Sequence, residues 1–171
     1  MFDFLKRKKQ NHSQSTDNDT YKSLREMAFS IKPEQLGVSL ENDEQVFGAV
    51  VDMSVSNGMV ATMICFIDGA ASLYFSNGGG IIGAGQHESV QKAAGSFLIS
   101  VHQVLPIMKK IDNFDMVPKE NHHIFYLFTK AEVYFLDLDV EDYQESKEKY
   151  FLFSLSQMLL TEIIKTSEKI K

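Results

Sequence analysis

Two dipeptides, Asn57-Gly58 and Asp68-Gly69, constrain the fold more than any other feature of the chain. Each interrupts a run of apolar and β-branched residues. Asn-Gly and Asp-Gly favour two-residue hairpin turns, because both turn positions then need positive φ. Val46 to Ser56, Met59 to Ile67 and Ala70 to Phe75 therefore read as a three-stranded antiparallel meander. A two-residue turn sets the register. It puts Val55 opposite Val60, Met53 opposite Thr62, Val51 opposite Ile64 and Ala49 opposite Phe66. Across the second turn it puts Phe66 opposite Ala71, Ile64 opposite Leu73 and Thr62 opposite Phe75. That register gathers Val51, Met53, Val55, Val60, Ile64, Phe66, Leu73 and Phe75 on one apolar face, which a helix has to cover.

The other face then mixes apolar and polar side chains, among them Val50, Asp52, Ser54, Ala61, Cys65 and Ser72. It is too apolar for water and too polar for a main core. Such a surface suits partial cover by a second subunit, a partner or the chain's own ends. Met59, Met63, Ile67 and Tyr74 belong to it and are the residues expected to meet a partner.

The remaining elements follow from periodicity. Tyr21 to about Ile31 places Leu24, Met27, Ala28 and Ile31 on one helical face, and Pro33 stops it. Glu88 to about Met108 repeats Val90, Ala94, Phe97, Val101 and Leu105 at helical spacing, with Pro106 kinking or ending it. Ile124 to Thr129 and Val133 to Leu138 form a second hairpin around Lys130-Ala131-Glu132. A long amphipathic helix lies within Glu145 to Lys169, striped by Phe151, Leu152, Leu155, Leu159 and Ile163. The order α-βββ-α-ββ-α predicts an α+β fold, an antiparallel sheet packed on one face by helices. Residues 1–20 read as a flexible basic and polar tail and residues 21–171 as one domain.

Charge narrows the function classes. The chain of 171 residues carries a formal net charge of -6. Residues 1–20 hold a net +1 and the rest a net -7. An acidic body repels phosphate backbones, so nucleic acid is not an expected partner. The cluster Lys6-Arg7-Lys8-Lys9, beside Phe2, Phe4 and Leu5, could touch anionic lipid, but reads as a solvated terminus. No apolar run approaches the ~20 residues of a membrane span. Apolar residues precede the basic ones at the start, the reverse of a secretory leader. Cys65 is the single cysteine, so no internal disulfide can form, and a cytoplasmic location is expected.

The run Ser76-Asn77-Gly78-Gly79-Gly80-Ile81-Ile82-Gly83-Ala84-Gly85 holds five of the ten glycines. Gly78, Gly80 and Gly83 satisfy G-x-G-x-x-G. A dinucleotide site also needs a parallel βαβ unit and a following acidic residue, and this run follows a hairpin meander. Gln86-His87 stands where a P-loop needs Lys-Ser/Thr. Two readings remain. Either Gly78, Gly79, Gly80, Gly83, Gly85 and His87 hold a small anion on backbone N–H groups, or the glycines let helix and sheet approach closely. The acids from Asp137 to Glu148 match calcium-loop spacing at several positions, but Asp142 replaces the required glycine. The five histidines lack zinc spacing, and no Ser/His/Asp set or nucleophile elbow occurs. No catalytic residue, metal or cofactor is expected.

The element order is similar to that of the type III secretion chaperones and related small bacterial domains, over about residues 21–169. That resemblance implies a non-enzymatic, cytoplasmic, usually dimeric protein that binds another polypeptide. The expected function is a protein-binding module of the chaperone, adaptor or toxin-immunity kind, with another protein or a second copy of the chain (a homodimer) as the partner. The alternative is a small-ligand or phosphate-binding domain built on Gly78–Gly85.

Overall fold

The computed structural model describes the backbone of residues 14–168 and the side chains of residues 19–167. The basic cluster at residues 6–9 lies outside them. Strands β1 (Gly48–Ser54), β2 (Val60–Phe66), β3 (Ala71–Phe75), β4 (Gly80–Ile81), β5 (Lys109–Ile111), β6 (His122–Phe128) and β7 (Val133–Asp139) form one sheet. Its order is β4-β3-β2-β1-β6-β7-β5, and every neighbouring pair is antiparallel. Helices α1 (Gln14–Ser30), α2 (Glu88–Ser100) and α3 (Lys147–Glu168) pack on it, so the α+β class holds. The edge strands β4 and β5 have two and three residues, short enough to offer little to a foreign strand.

Both reversals occur where Asn57-Gly58 and Asp68-Gly69 stand, but each turn is one residue longer than expected. The Val55 N–H donates to the Met59 carbonyl and the Phe66 N–H to the Ala70 carbonyl, which leaves three-residue loops. Asn57 and Gly58 take φ of 64° and 71°. One extra residue per turn turns β2 over relative to β1 and β3. Met53 faces Ala61, Val51 faces Met63 and Met63 faces Leu73, in place of the Thr62 and Ile64 pairings.

The result is two cores of different character. One face carries Ala49, Val51, Met53, Ala61, Met63, Cys65, Ala71 and Leu73 beneath α2 and α3. Its many small residues let Phe97, Leu98, Leu152, Leu159 and Ile163 come down onto the strands. The other face is aromatic, with Phe47, Ile64, Phe66, Tyr126 and Phe128, and α1 lies on it through Ala28 and Phe29. Ile64 and Phe66 are buried, though under α1 rather than under α2. The Phe66 and Phe128 rings stack at 6.3 Å over Gly48, where a Cβ would overlap the Phe66 ring.

The first helix begins at Gln14, inside the stretch read as a linker, and its own chain covers the sheet's second face. The second helix ends at Ser100, and the chain continues as a 3-10 run, Val101–Ile107, that contains Pro106. The sheet topology sets the helix directions. The chain leaves β4 at one edge, crosses in α2 and the 3-10 run, and enters β5 at the other edge. Helix α3 starts from β7, beside that second edge, and reaches back to β3 and β4. The two helices therefore lie side by side and run in opposite directions.

Candidate functional site

The glycine-rich run is a tight reversal followed by a close approach. Gly78, Gly79, Gly80 and Gly83 have φ of 95°, 80°, 152° and 75°, which side chains rarely tolerate. Gly80 pairs with Tyr74 as the start of β4. A Cβ on Gly80 would overlap the Leu73 carbonyl oxygen, and one on Gly85 the Gly69 carbonyl oxygen. Within the run the Ser76, Gly78 and Gly83 N–H groups are already engaged, as are those of Gln86 and His87 just beyond it. Gly78 donates to the Phe75 carbonyl, Gly83 to Ser72 Oγ, Gln86 to the Gly83 carbonyl and His87 to the Ala84 carbonyl. His87 is exposed at the start of α2, and its side chain caps nothing. The geometry accounts for Gly85 by its close approach to the β2–β3 turn, for Gly80 by its approach to β3, and for Gly78, Gly79 and Gly83 by their positive φ.

The four residues expected to meet a partner do not share one surface. Met63 is 1% exposed beneath α2 and α3. Tyr74 is half-buried on the opposite, aromatic face. Met59 closes the first turn and Ile67 opens the second, at opposite ends of β2. The cause is the longer turns, which send the odd-numbered residues of β2 under the helices.

A buried polar cluster fastens α1 to the aromatic face. Asp52, in the middle of central strand β1, is 1% exposed. Arg25 of α1 donates to Asp52 Oδ2 through Nε at 3.1 Å and Nη2 at 2.7 Å. The Thr62 hydroxyl donates to Asp52 Oδ1 at 2.6 Å, and the Tyr21 hydroxyl lies 2.6 Å from Thr62 Oγ1. The guanidinium sits over the rings of Phe29 and Tyr126, 4.7 and 5.6 Å from their centroids. Tyr21, Arg25, Ala28 and Phe29 follow helical spacing, so one face of α1 carries the whole contact. Burial, and then the charge of Asp52, push the Tyr126 phenol up to about 12. With both carboxylate oxygens engaged and no exposed surface, Asp52 serves as an anchor. The sequence carried two signs of it: a lone carboxylate within Val50-Val51-Asp52-Met53, and Arg25 as one of only two arginines. Arginine suits a buried pair because its planar fork matches a carboxylate.

The concave places are shallow and open. A cleft of about 590 Å³ lies between the β1–β2 turn and Pro118, Glu120 and Asn121. Another of about 470 Å³ lies between Arg25 and Phe29 on α1 and the segment Asp112 to Asp115. The acids after β7 are turned to local bonding. Asp137 Oδ1 stands 2.7 Å from His122 Nδ1, and Asp139 Oδ1 accepts the Glu141 N–H. Among the described residues no group of three His, Cys, Asp or Glu side chains could hold a metal ion. Among them, too, no helix is long and apolar enough to cross a membrane.

The outer surface of α2 and α3 is the feature that the sequence reading did not single out. No Asp, Glu, Lys or Arg occurs from residue 93 to 108 or from 150 to 161, in a chain of which 23% is charged. Large apolar side chains stand in solvent there: Ile99 is 75% exposed, Met158 62% and Tyr150 50%. On α3 the stripe Leu152, Leu159 and Ile163 faces the core, so Met158 is surplus to it. A count of charges along each helix would have found this surface, because outward positions of a solvated helix ordinarily carry them. Compared with protein-family models, with curated proteins and with solved structures, the chain matches none of them.

Proposed function

We propose that this chain is a non-catalytic protein-binding module of the chaperone, adaptor or toxin-immunity kind, acting in the cytoplasm. It engages protein through the outer surface of α2 and α3. The observation that carries this reading is that Ile99 and Met158 stand exposed on charge-free stretches of α2 and α3 in a chain of net charge -6. Exposed apolar residues in a patch without charges mark association surfaces, and interface centres are depleted of charge. The chaperone branch of the reading comes from an element order similar to that of the type III secretion chaperones. The alternative, a phosphate or other small ligand on Gly78–Gly85, is weakened by the Gly78 and Gly83 N–H groups, which already donate within the chain.

The test is affinity capture from the native cell lysate with the full chain and with the Ile99→Glu variant. The expected result is at least one protein retained by the wild-type chain and released by the variant. Identical capture by both chains would remove this surface from the proposal.

A further inference from the structure

We infer that α1 is a releasable strap: it leaves the aromatic face as one unit while the sheet, α2 and α3 stay folded, and so gates that face. Attachment is the first argument. Of the α1 side chains described, those of residues 19–30, only Ala28 is buried. Helix α2, by contrast, buries Val90, Ala94, Phe97 and Leu98, and α3 buries Leu152, Leu159 and Ile163. Tyr21, Arg25 and Phe29 recur every four residues and meet Thr62 on β2, Asp52 on β1 and Tyr126 on β6. A single stripe crossing three strands makes the contact, so the helix lifts off whole. Leu36, Leu40, Phe114 and Met116 pack on the same aromatic cluster from other segments and keep their places when it does. Pro33 is buried, which sets the hinge between Ser30 and Pro33.

The buried charge is the second argument. A carboxylate has to be paired or hydrated. With α1 down, Arg25 and Thr62 both donate to Asp52. With α1 up, water takes both positions, so the open state strands no buried charge. Water is already near: the cleft of about 470 Å³ beside Arg25 and Phe29 is open, and the Arg25 side chain keeps 15% exposure. Positions in between part the guanidinium from the carboxylate before water can enter, and an unpaired buried charge is costly. The helix therefore has two discrete states, down and up. An apolar side chain in place of Asp52 would hold the strap shut, because baring it gains no hydration in return. Opening uncovers Asp52 and the Tyr126 ring on the side of the sheet away from α2 and α3, a surface separate from the one proposed to bind protein.

Residue-resolved amide hydrogen exchange of the full chain tests this. Off the sheet a helix of 17 residues is marginal in water, so each opening exposes its amides. The expected result is one common rate for the amides of residues 22–30, at least about tenfold faster than those in the middle of α2 and α3. Arg25→Met should cost α1 about a hundredfold in protection while α2, α3, β1 and β6 remain protected. The double variant Arg25→Met, Asp52→Leu should bring α1 back to within about fivefold of wild type, or make it slower still. Three results overturn the inference. One is α1 exchanging within about tenfold of α2 and α3. Another is a rate that falls steadily from residue 22 to residue 30, which is fraying from one end. The third is a double variant in which α1 exchanges more than about fivefold faster than in wild type. Capture through Ile99 enters none of these readouts, so the strap and the protein-binding reading stand or fall separately.

Discussion

Replacing Arg25 by methionine should cost about 3 kcal/mol of stability, the lower end of the range for breaking a buried ion pair. Asp52 is 1% exposed and would lose its ion-pair partner together with hydrogen bonds at 3.1 and 2.7 Å. The Arg25 side chain keeps 15% exposure, so some water can replace it, and the cost falls at the low end of the range. For a chain of this length that corresponds to a fall of about 6–12 °C in Tm. The double variant Arg25→Met, Asp52→Leu removes the charge along with its partner. Thr62 then keeps the Tyr21 hydroxyl, 2.6 Å away, and the double variant should lie within about 1 kcal/mol of wild type. The two substitutions are thus expected to couple by about 2 kcal/mol or more. The chain has no tryptophan, so urea unfolding is best followed by circular dichroism. A cost below about 1 kcal/mol for Arg25→Met, or a double variant equal to the sum of the singles, would refute the claim that this pair anchors α1.

Three further outcomes are expected. His123 is half-buried against Phe153, and burial lowers its imidazole to about 4. The unfolded chain takes up that proton near its ordinary value of about 6.5, so this contribution is complete above pH 6.5 and is lost as the pH falls toward 4, by at most about 3 kcal/mol. Urea midpoints at pH 7 and pH 4.5 should show it, and His123→Phe should flatten the difference; an unchanged slope would contradict the assignment. Gly85→Ala should destabilise by about 2 kcal/mol or more, because its Cβ overlaps the Gly69 carbonyl, whereas Gly79→Ala meets open space and costs about 1 kcal/mol for its positive φ. Thermal melts that rank the two the other way would show that close approach is not what Gly85 provides. Cys65 is buried and its thiol is pushed up to about 12 by that burial, so a thiol reagent should modify it only in denaturant; rapid labelling of the native chain would place it at an accessible surface instead.

The readable parts of the chain were those governed by local chemistry. Both reversals stand where Asn57-Gly58 and Asp68-Gly69 stand, because few other residues accept the left-handed conformations needed there. The regular α2 helix ends at Ser100, and Pro106 lies in the 3-10 run that follows, where a residue without an N–H cannot continue the α-helical bonding. The hairpin of β6 and β7 and the closing helix α3 also lie close to where periodicity put them. Register was not readable. Ordinarily a strand's polar side chains mark its wet face, but β2 is buried on both sides, with Thr62, Ile64 and Phe66 on one and Ala61, Met63 and Cys65 on the other. Either pairing buries apolar residues, so turn length alone decided, and Asn-Gly and Asp-Gly fit three-residue loops as well as two.

The candidate surfaces divided in the same way. Positive φ in the glycine run could be read from composition, but its cause could not. Only the folded chain brings Gly85 against Gly69 and Gly80 against Leu73. The partner-facing set of Met59, Met63, Ile67 and Tyr74 depended wholly on register and dispersed when β2 turned over. The uncharged helix surface was present in the residues themselves, yet it became a surface only when two distant helices came to lie abreast.

By itself, then, the order of residues determined the element types, the α+β class, the two reversal points and the acidic character of the body, since each follows from neighbours within a few positions. The tertiary structure decided which side of β2 faces which helix, that α1 covers the aromatic face, and that α2 and α3 pack against each other with Ile99 and Met158 left exposed. Those outcomes depend on contacts between segments tens of residues apart, and such contacts have no local energetic signature from which they could be read.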